Sequence, residues 1–146
     1  MGKVDDRALV LLLILPVVML AAGAGRAEAQ AEPGIKARLT ADRKELTVGD
    51  RASLTLEVTY PAGHQVILPR LPDNWEAFEV IDQSPSVTAA NDDGTETITK
   101  EFEIALFAPG TFVTPDLEIT VRDPAGQLDS IFSSRLWFSV TPVLTE

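Results

Sequence analysis

Few residues in this chain are equipped for chemistry: one histidine, no cysteine and 22 carboxylates. Without cysteine there is no thiol catalysis, thiolate metal site or disulfide, and the single imidazole, His64, excludes any centre that needs a pair. A catalytic histidine needs a nucleophile or carboxylate held against it. No serine stands in a G-x-S-x-G elbow, so His64, which follows Ala62-Gly63 at the start of a predicted strand, reads as a surface residue.

The carboxylates fall mostly in loops. Asp73, Asn74 and Glu76 lie in one, Asp92 and Asp93 in another, and Asp116 and Asp123 flank the penultimate strand. Calcium takes about six to eight oxygens, which loops at one end of a sandwich can gather. No D-x-[DN]-x-[DN]-G loop is present, however, and Asn-Asp-Asp-Gly at residues 91–94 is also what a tight hairpin uses. Glu101 and Glu103 are a candidate glycosidase pair, but they alternate with Thr99 on one strand face, as a solvated face does. A glycosidase also needs a cleft that a chain this short is poorly able to build. No catalytic, cofactor-binding or metal-binding residue is therefore assigned, and no cofactor is expected.

Two tryptophans remain as candidate contact residues. Trp75, in "LPDNWEAF", lies in a predicted loop, where an exposed indole can stack on a sugar or anchor a protein partner; the alternative is that it caps the core. Trp137 has the opposite parity from Leu136 and Phe138, which points it to the outer face.

The elements that position these residues have a period of two. Residues 35–41 alternate as a first strand, and "VGD" at residues 48–50 turns into the clearest one, with Ala52, Leu54, Leu56, Val58 and Tyr60 on one face. Pro61-Ala62-Gly63 stops it. Val66-Ile67-Leu68 is closed by Pro69, "RLPDNW" is a loop, and "AFEVID" is a brief fourth strand. After the Asn91–Gly94 turn comes a long strand with Ile98, Phe102, Ile104 and Leu106 inward. Lys100 shares their parity and is expected near the strand end, reaching solvent along its aliphatic stem. Pro109-Gly110 makes a corner between sheets, and Pro115 interrupts the next strand and limits pairing at a sheet edge. Leu117, Ile119 and Val121 resume the alternation, Pro124-Ala125-Gly126 turns the chain, and Leu136, Phe138 and Val140 end it, in a strand that begins as early as Ile131. Regularly spaced short strands without helical periodicity predict an all-β, immunoglobulin-like (fibronectin-type-III-like) β-sandwich of about seven to eight strands. Phe78, Phe102, Phe107, Phe112, Phe138 and the tryptophans are its expected large anchors.

Residues 8–24 are an unbroken apolar run, followed by small residues and an Ala27-Glu28-Ala29 cleavage pattern, the form of a secretory signal peptide. Pro16 in mid-run and the small-residue exit weigh against a retained membrane anchor. The expected organisation is a signal peptide over residues 1–29, a short linker over 30–34 and the sandwich over 35–146. Removing residues 1–29 takes away three acidic and three basic residues, so the net charge stays at −10. Such a field repels phosphate backbones and anionic lipid, which argues against nucleic-acid binding.

The order "LTVGDRASLTLEV", "LPRLPDNWEAFEVI", a Gly-containing turn, "ITKEFEIALFAPGTFVTPDLEITVRDPAG" and "SVTPVL" resembles the extracytoplasmic immunoglobulin-like region of the BatD, or oxygen-tolerance, family of bacteria. The matching elements are Val48-Gly49-Asp50, Leu71-Pro72 with Phe78-Glu79-Val80, and Phe107 with Pro109-Gly110-Thr111 and Pro115. The resemblance implies an exported envelope protein without enzymatic activity. Such a protein works through protein contacts beside von Willebrand A-type partners and a MoxR-type ATPase system. In that family a carboxy-terminal helix holds the protein in the membrane, and anchoring is expected here only if the chain continues beyond Glu146. The expected function is thus a non-catalytic extracytoplasmic protein-interaction module, periplasmic, extracellular or on the outer face of the cytoplasmic membrane. The alternative is a carbohydrate-binding β-sandwich module that uses an exposed tryptophan.

Overall fold

The computed structural model describes residues 34–144, so the expected signal peptide and most of the linker lie outside the described residues. Twelve strand segments follow in order: β1 (Lys36–Ala41), β2 (Glu45–Thr47), β3 (Arg51–Pro61), β4 (Gln65–Ile67), β5 (Asn74–Trp75), β6 (Phe78–Gln83), β7 (Val87–Ala90), β8 (Thr95–Ala105), β9 (Gly110–Val113), β10 (Glu118–Arg122), β11 (Leu128–Phe132) and β12 (Trp137–Thr141).

The spine is the antiparallel pair β3 and β8, matched from Arg51 opposite Ala105 to Pro61 opposite Thr95. Strict alternation makes it: Leu54, Leu56 and Val58 are completely buried, while Arg51, Ser53 and Glu57 on the other face are exposed. β1 joins β3, and β6 joins β8 with β5 beyond it, giving the order β1-β3-β8-β6-β5, with β7 also on β8. β6 and β7 are one interrupted strand, since both pair with the same side of β8. The facing layer consists of two ladders, β11-β10-β4 and β2-β12-β9. One hairpin runs through both, with β9 and β10 as halves of one strand and β11 and β12 as halves of the next. Counted this way, and with the short β2 and β5 set aside as additions at the sheet edges, there are seven strands. The first, second, fifth and fourth make one sheet and the third, sixth and seventh the other, which is the strand order of an immunoglobulin-like sandwich.

The breaks in that hairpin are matched. Thr114 N–H donates to the Leu136 carbonyl at 2.9 Å, and Ser133 N–H donates to the Leu117 carbonyl at 3.0 Å. In a regular antiparallel ladder bonded pairs recur every second residue, yet here both strands change parity between these two bonds. The register is kept, and the inward residues switch from Phe112, Leu136 and Phe138 to Leu117, Ile119 and Ile131. Pro115, with no N–H to give, sits in the break and ends β9. The Leu136 N–H is rescued by the Thr114 hydroxyl, which accepts it at 2.9 Å within the core.

The core fills the space between the layers. Phe78 links Trp75, 5.5 Å away, to Phe138, 5.5 Å away and edge-on, an arrangement that aromatic quadrupoles favour. Pro109-Gly110 does carry the chain from the β8 sheet to the other, and Gly110 takes a φ of +136° that a side chain rarely adopts. At the other end, Asn91–Thr95 closes the β7–β8 hairpin through an Asn91 N–H to Thr95 carbonyl bond of 2.8 Å, with Gly94 at φ +82°.

Four expectations are corrected. Phe107 and Trp137 do not anchor the core, since both are largely exposed: Phe107 lies past the end of β8, and Trp137 has outward parity. Lys100 sits in mid-strand, opposite Leu56, where its ammonium donates to the Pro69 carbonyl at 3.4 Å and lies over the Phe102 ring. Burial, and then the neighbouring Arg70, lowers its pKa. Residues 87–90, in the stretch expected only to lead into the Asn91–Gly94 turn, form the separate strand β7, and Ile131, expected as the earliest start of the last strand, belongs instead to the separate strand β11. Asn74–Trp75, assigned to a loop, is a short strand that doubles back on β6, turning through Glu76 at φ +53°.

Thr114→Val preserves the shape of this buried residue and leaves the Leu136 N–H without an acceptor. It is expected to cost about 1–3 kcal/mol, and Thr114→Ser less, as read from denaturant unfolding of both variants.

Candidate functional site

The outer face of the second layer collects apolar side chains that the core does not use. Register sets its rows: Val113 beside Trp137, Glu118 beside Phe132, Ile67 beside Thr120 and Ser130, and Gln65 beside Arg122 and Leu128. Trp137 is 64% exposed and Phe132 60%, and Ile67 and Leu128 are exposed as well. Trp137, Phe132 and Ile67 point outward because their neighbours Phe138, Ile131 and Val66 point in, and Leu128 pairs with Arg122, which is outward because Val121 points in.

The hairpin break lies between Phe132 and Trp137 and carries an ion pair. Arg135 Nε and an Nη donate to the two oxygens of Asp116, each at 2.7 Å, in a bidentate fork. The hydrogen bonds from Arg135 hold the Asp116 carboxyl below the usual carboxylate range, and the same bonds raise the guanidinium. Beside Phe132, Glu118 accepts from the Ser130 hydroxyl at 2.8 Å. This is an aromatic and aliphatic surface interleaved with polar groups already engaged with one another. It is suited to burying a partner's apolar surface and offers no paired acid and base.

The structure separates the two tryptophans. Trp137 stands on the outer face. Trp75 is 6% exposed, because the β5–β6 hairpin folds it onto Phe78, and its indole is not free to stack on a sugar. Trp75 as a contact residue is thus corrected to a core residue. His64 is half-buried, with its main-chain N–H donating to the Pro61 carbonyl at 3.3 Å and its ring Nδ1 enclosed without a protein partner. The candidate calcium residues are dispersed. Asp93 accepts from Thr95, which lowers its pKa, Asp123 accepts the Gln127 N–H at 2.8 Å, and Asp116 is tied to Arg135. Among the described residues, no group of three or more His, Asp or Glu side chains is placed to hold a metal. Glu101 and Glu103 line an open depression with Ser53, Asp82 and Ser84, and Glu103 pairs with Arg51 at 3.3 Å.

Sequence reading did not single out Phe132, Ile67 or Leu128. The alternation Leu128, Ser130, Phe132 against Asp129, Ile131 was available, but which face turns inward depends on the hairpin break.

No family model matches the chain, and no curated protein matches it. Among solved structures, it is similar to a non-cellulosomal cohesin from the hyperthermophilic archaeon Archaeoglobus fulgidus, with 10% identity, coverage of 73% of this chain and 91% of that one, and a TM-score of 0.43. The class of protein, an all-β immunoglobulin-like sandwich, rests on the strand order described above.

Trp75→Ala is expected to destabilise the domain by about 3–5 kcal/mol, whereas Trp137→Ala stays within about 0.5 kcal/mol of wild type; paired melting curves distinguish the two. The depressed Asp116 carboxyl gives a pH signature. Its contribution to stability is complete above the unfolded carboxylate pKa, about 4, and is lost as pH falls through the lower folded value. Asp116→Asn is therefore expected to flatten the acid limb of stability against pH, while below the folded value the variant and wild type converge.

Proposed function

We propose that this chain is a non-catalytic, extracytoplasmic protein-interaction module of a bacterial envelope protein similar to the BatD family. The observation that carries the reading is the set of exposed apolar side chains Trp137, Phe132, Ile67 and Leu128 on one outer sheet face. Exposed aromatics of this kind, set among polar groups, are what partner proteins bury at the centre of an interface. The apolar run and small-residue exit at residues 8–29 support export. The shared elements around Val48-Gly49-Asp50 and Pro109-Gly110 support the family, and von Willebrand A-type proteins are the partners that the resemblance suggests. A second reading, a carbohydrate-binding module, rests on Trp137 alone now that Trp75 belongs to the core.

Affinity capture from bacterial envelope extracts, with wild type and Trp137→Ala as bait, tests the first reading. A defined protein bound by wild type and weakened by about 2 kcal/mol, roughly thirty-fold in Kd, in the variant supports it. Equal capture by both baits counts against it. A glycan array bound by wild type and not by Trp137→Ala favours the second reading instead.

A further inference from the structure

Sheets end in unpaired main-chain groups, and proteins protect such edges with charge, proline, brevity or a covering side chain. Most edges here carry such a device. β1 has Lys36 and Arg38, and the Ser134 hydroxyl covers its Leu39 N–H at 3.2 Å. β11 has Asp129, whose carboxylate accepts the Ser130 N–H at 2.8 Å. β9 lies between Pro109 and Pro115, and β2, β4 and β5 have three residues or fewer.

β7 has Pro85 two residues before it but no charge, proline or covering side chain within the strand itself. Its residues, Val87, Thr88, Ala89 and Ala90, are uncharged, and all four are exposed. The Asn91 to Thr95 bond fixes which groups are free. Bonded pairs alternate along an antiparallel ladder, so Ala89 and Val87 bond to β8, opposite Thr97 and Thr99, and the main-chain groups of Thr88 and Ala90 face away from the sheet. Val87 and Ala89 lie on the outer face beside them.

We infer that the β7 edge, through the outward main-chain groups of Thr88 and Ala90, accepts an extended, net-basic segment of a partner protein as an added strand. Strand addition takes its affinity from main-chain bonds and its selectivity from alternate side chains. The charge around the edge selects the occupant. Asp92 and Asp93 follow β7 directly, Glu96 lies opposite Ala90, and Glu101, whose main-chain carbonyl accepts the Ser84 N–H, lies beside the chain just before the strand. Two cations lie near this level: Lys100, which is held inward on Pro69, and the neighbouring Arg70. A second copy of the chain, itself at −10, brings like charge to this edge, whereas a basic segment brings complementary charge. The inference uses a different surface from the Trp137 face and stands or falls separately from it.

The test uses the full chain and a synthetic peptide alternating lysine and valine. Its controls are the same peptide with glutamate for lysine and one N-methylated at alternate amides. The lysine peptide is expected to bind and to slow amide exchange at Thr88 and Ala90 by about tenfold or more, with the glutamate and N-methylated peptides failing. Ala90→Pro removes an N–H that makes no bond to β8. It is expected to keep the melting temperature and weaken binding about tenfold. Ala89→Lys, which leaves the backbone intact, is expected to weaken it by repulsion and covers the case in which the proline variant unfolds. The inference is overturned if the lysine peptide does not bind, if protection falls on amides other than Thr88 and Ala90, or if both variants bind as wild type does. Equal binding of the glutamate peptide overturns the choice of a basic partner.

Discussion

The matched break in the β9–β12 hairpin is the constraint on which the second layer depends. A strand shows alternate faces, so one long regular hairpin could not point both Phe138 and Ile119 into the core. Shifting parity on both strands at the same level solves this without losing register. The cost is local: a proline with no donor, and a Leu136 N–H that must find the Thr114 hydroxyl. The consequences are wider. The same shift turns Trp137 and Phe132 outward together, and it brings Ser134 against β1, where its hydroxyl closes the side of the sandwich. The break that completes the core therefore also creates the exposed face.

Much of the first layer was legible because its residues obey one rule throughout. Ala52 to Tyr60 and Ile98 to Ile104 alternate over long stretches, and burial follows parity along them. Lys100 is the exception within β8, and it shows why parity alone misleads. A long side chain can keep inward parity in mid-strand if its ammonium finds a carbonyl and its stem finds a ring. The corner at Pro109-Gly110 was also readable, because only glycine accepts its φ at little cost. What could not be read were segments whose identity depends on a distant partner. β2 is a strand only because β12 runs parallel to it, and Trp75 is buried only because a two-residue turn brings it onto Phe78. The candidate face was half legible: parity placed Trp137, but nothing local says that Phe132 shares its side.

Stability in this domain rests on apolar burial and on a few main-chain groups held by side chains. Gln83 bonds both the N–H and the carbonyl of Leu71, at 2.9 and 2.7 Å, and so straps the β4–β5 connection to the first sheet. The Asp42 carboxylate and the Ser84 hydroxyl accept the N–H groups of Ser53 and Glu101. These are short-range devices that satisfy donors which sheet geometry leaves over. The exposed ion pairs contribute less, because water screens them. Their value lies in fixing geometry, as Arg135 and Asp116 do at the hairpin break.

The two outer faces differ in physical character, and that difference bears on how a partner approaches. On the first sheet, Glu57, Glu79, Asp82, Glu101 and Glu103 stand outward among threonines, with Arg51 and the β1 cations as partial counterweights. On the second, the exposed Trp137, Phe132, Ile67 and Leu128 stand outward among Gln65, Glu118, Arg122 and Ser130. Charge acts over about a Debye length, roughly 8 Å at physiological salt, and governs the rate of encounter; apolar contact acts only on touching and governs how long a complex lasts. A cationic partner would thus be drawn first toward the carboxylate face, while persistent attachment through aromatic burial would belong to the opposite layer. A single sandwich can in this way present one surface that gathers and another that holds. Because the spine of β3 and β8 belongs to the first sheet and the hairpin break to the second, substitutions on one surface leave the scaffold of the other in place.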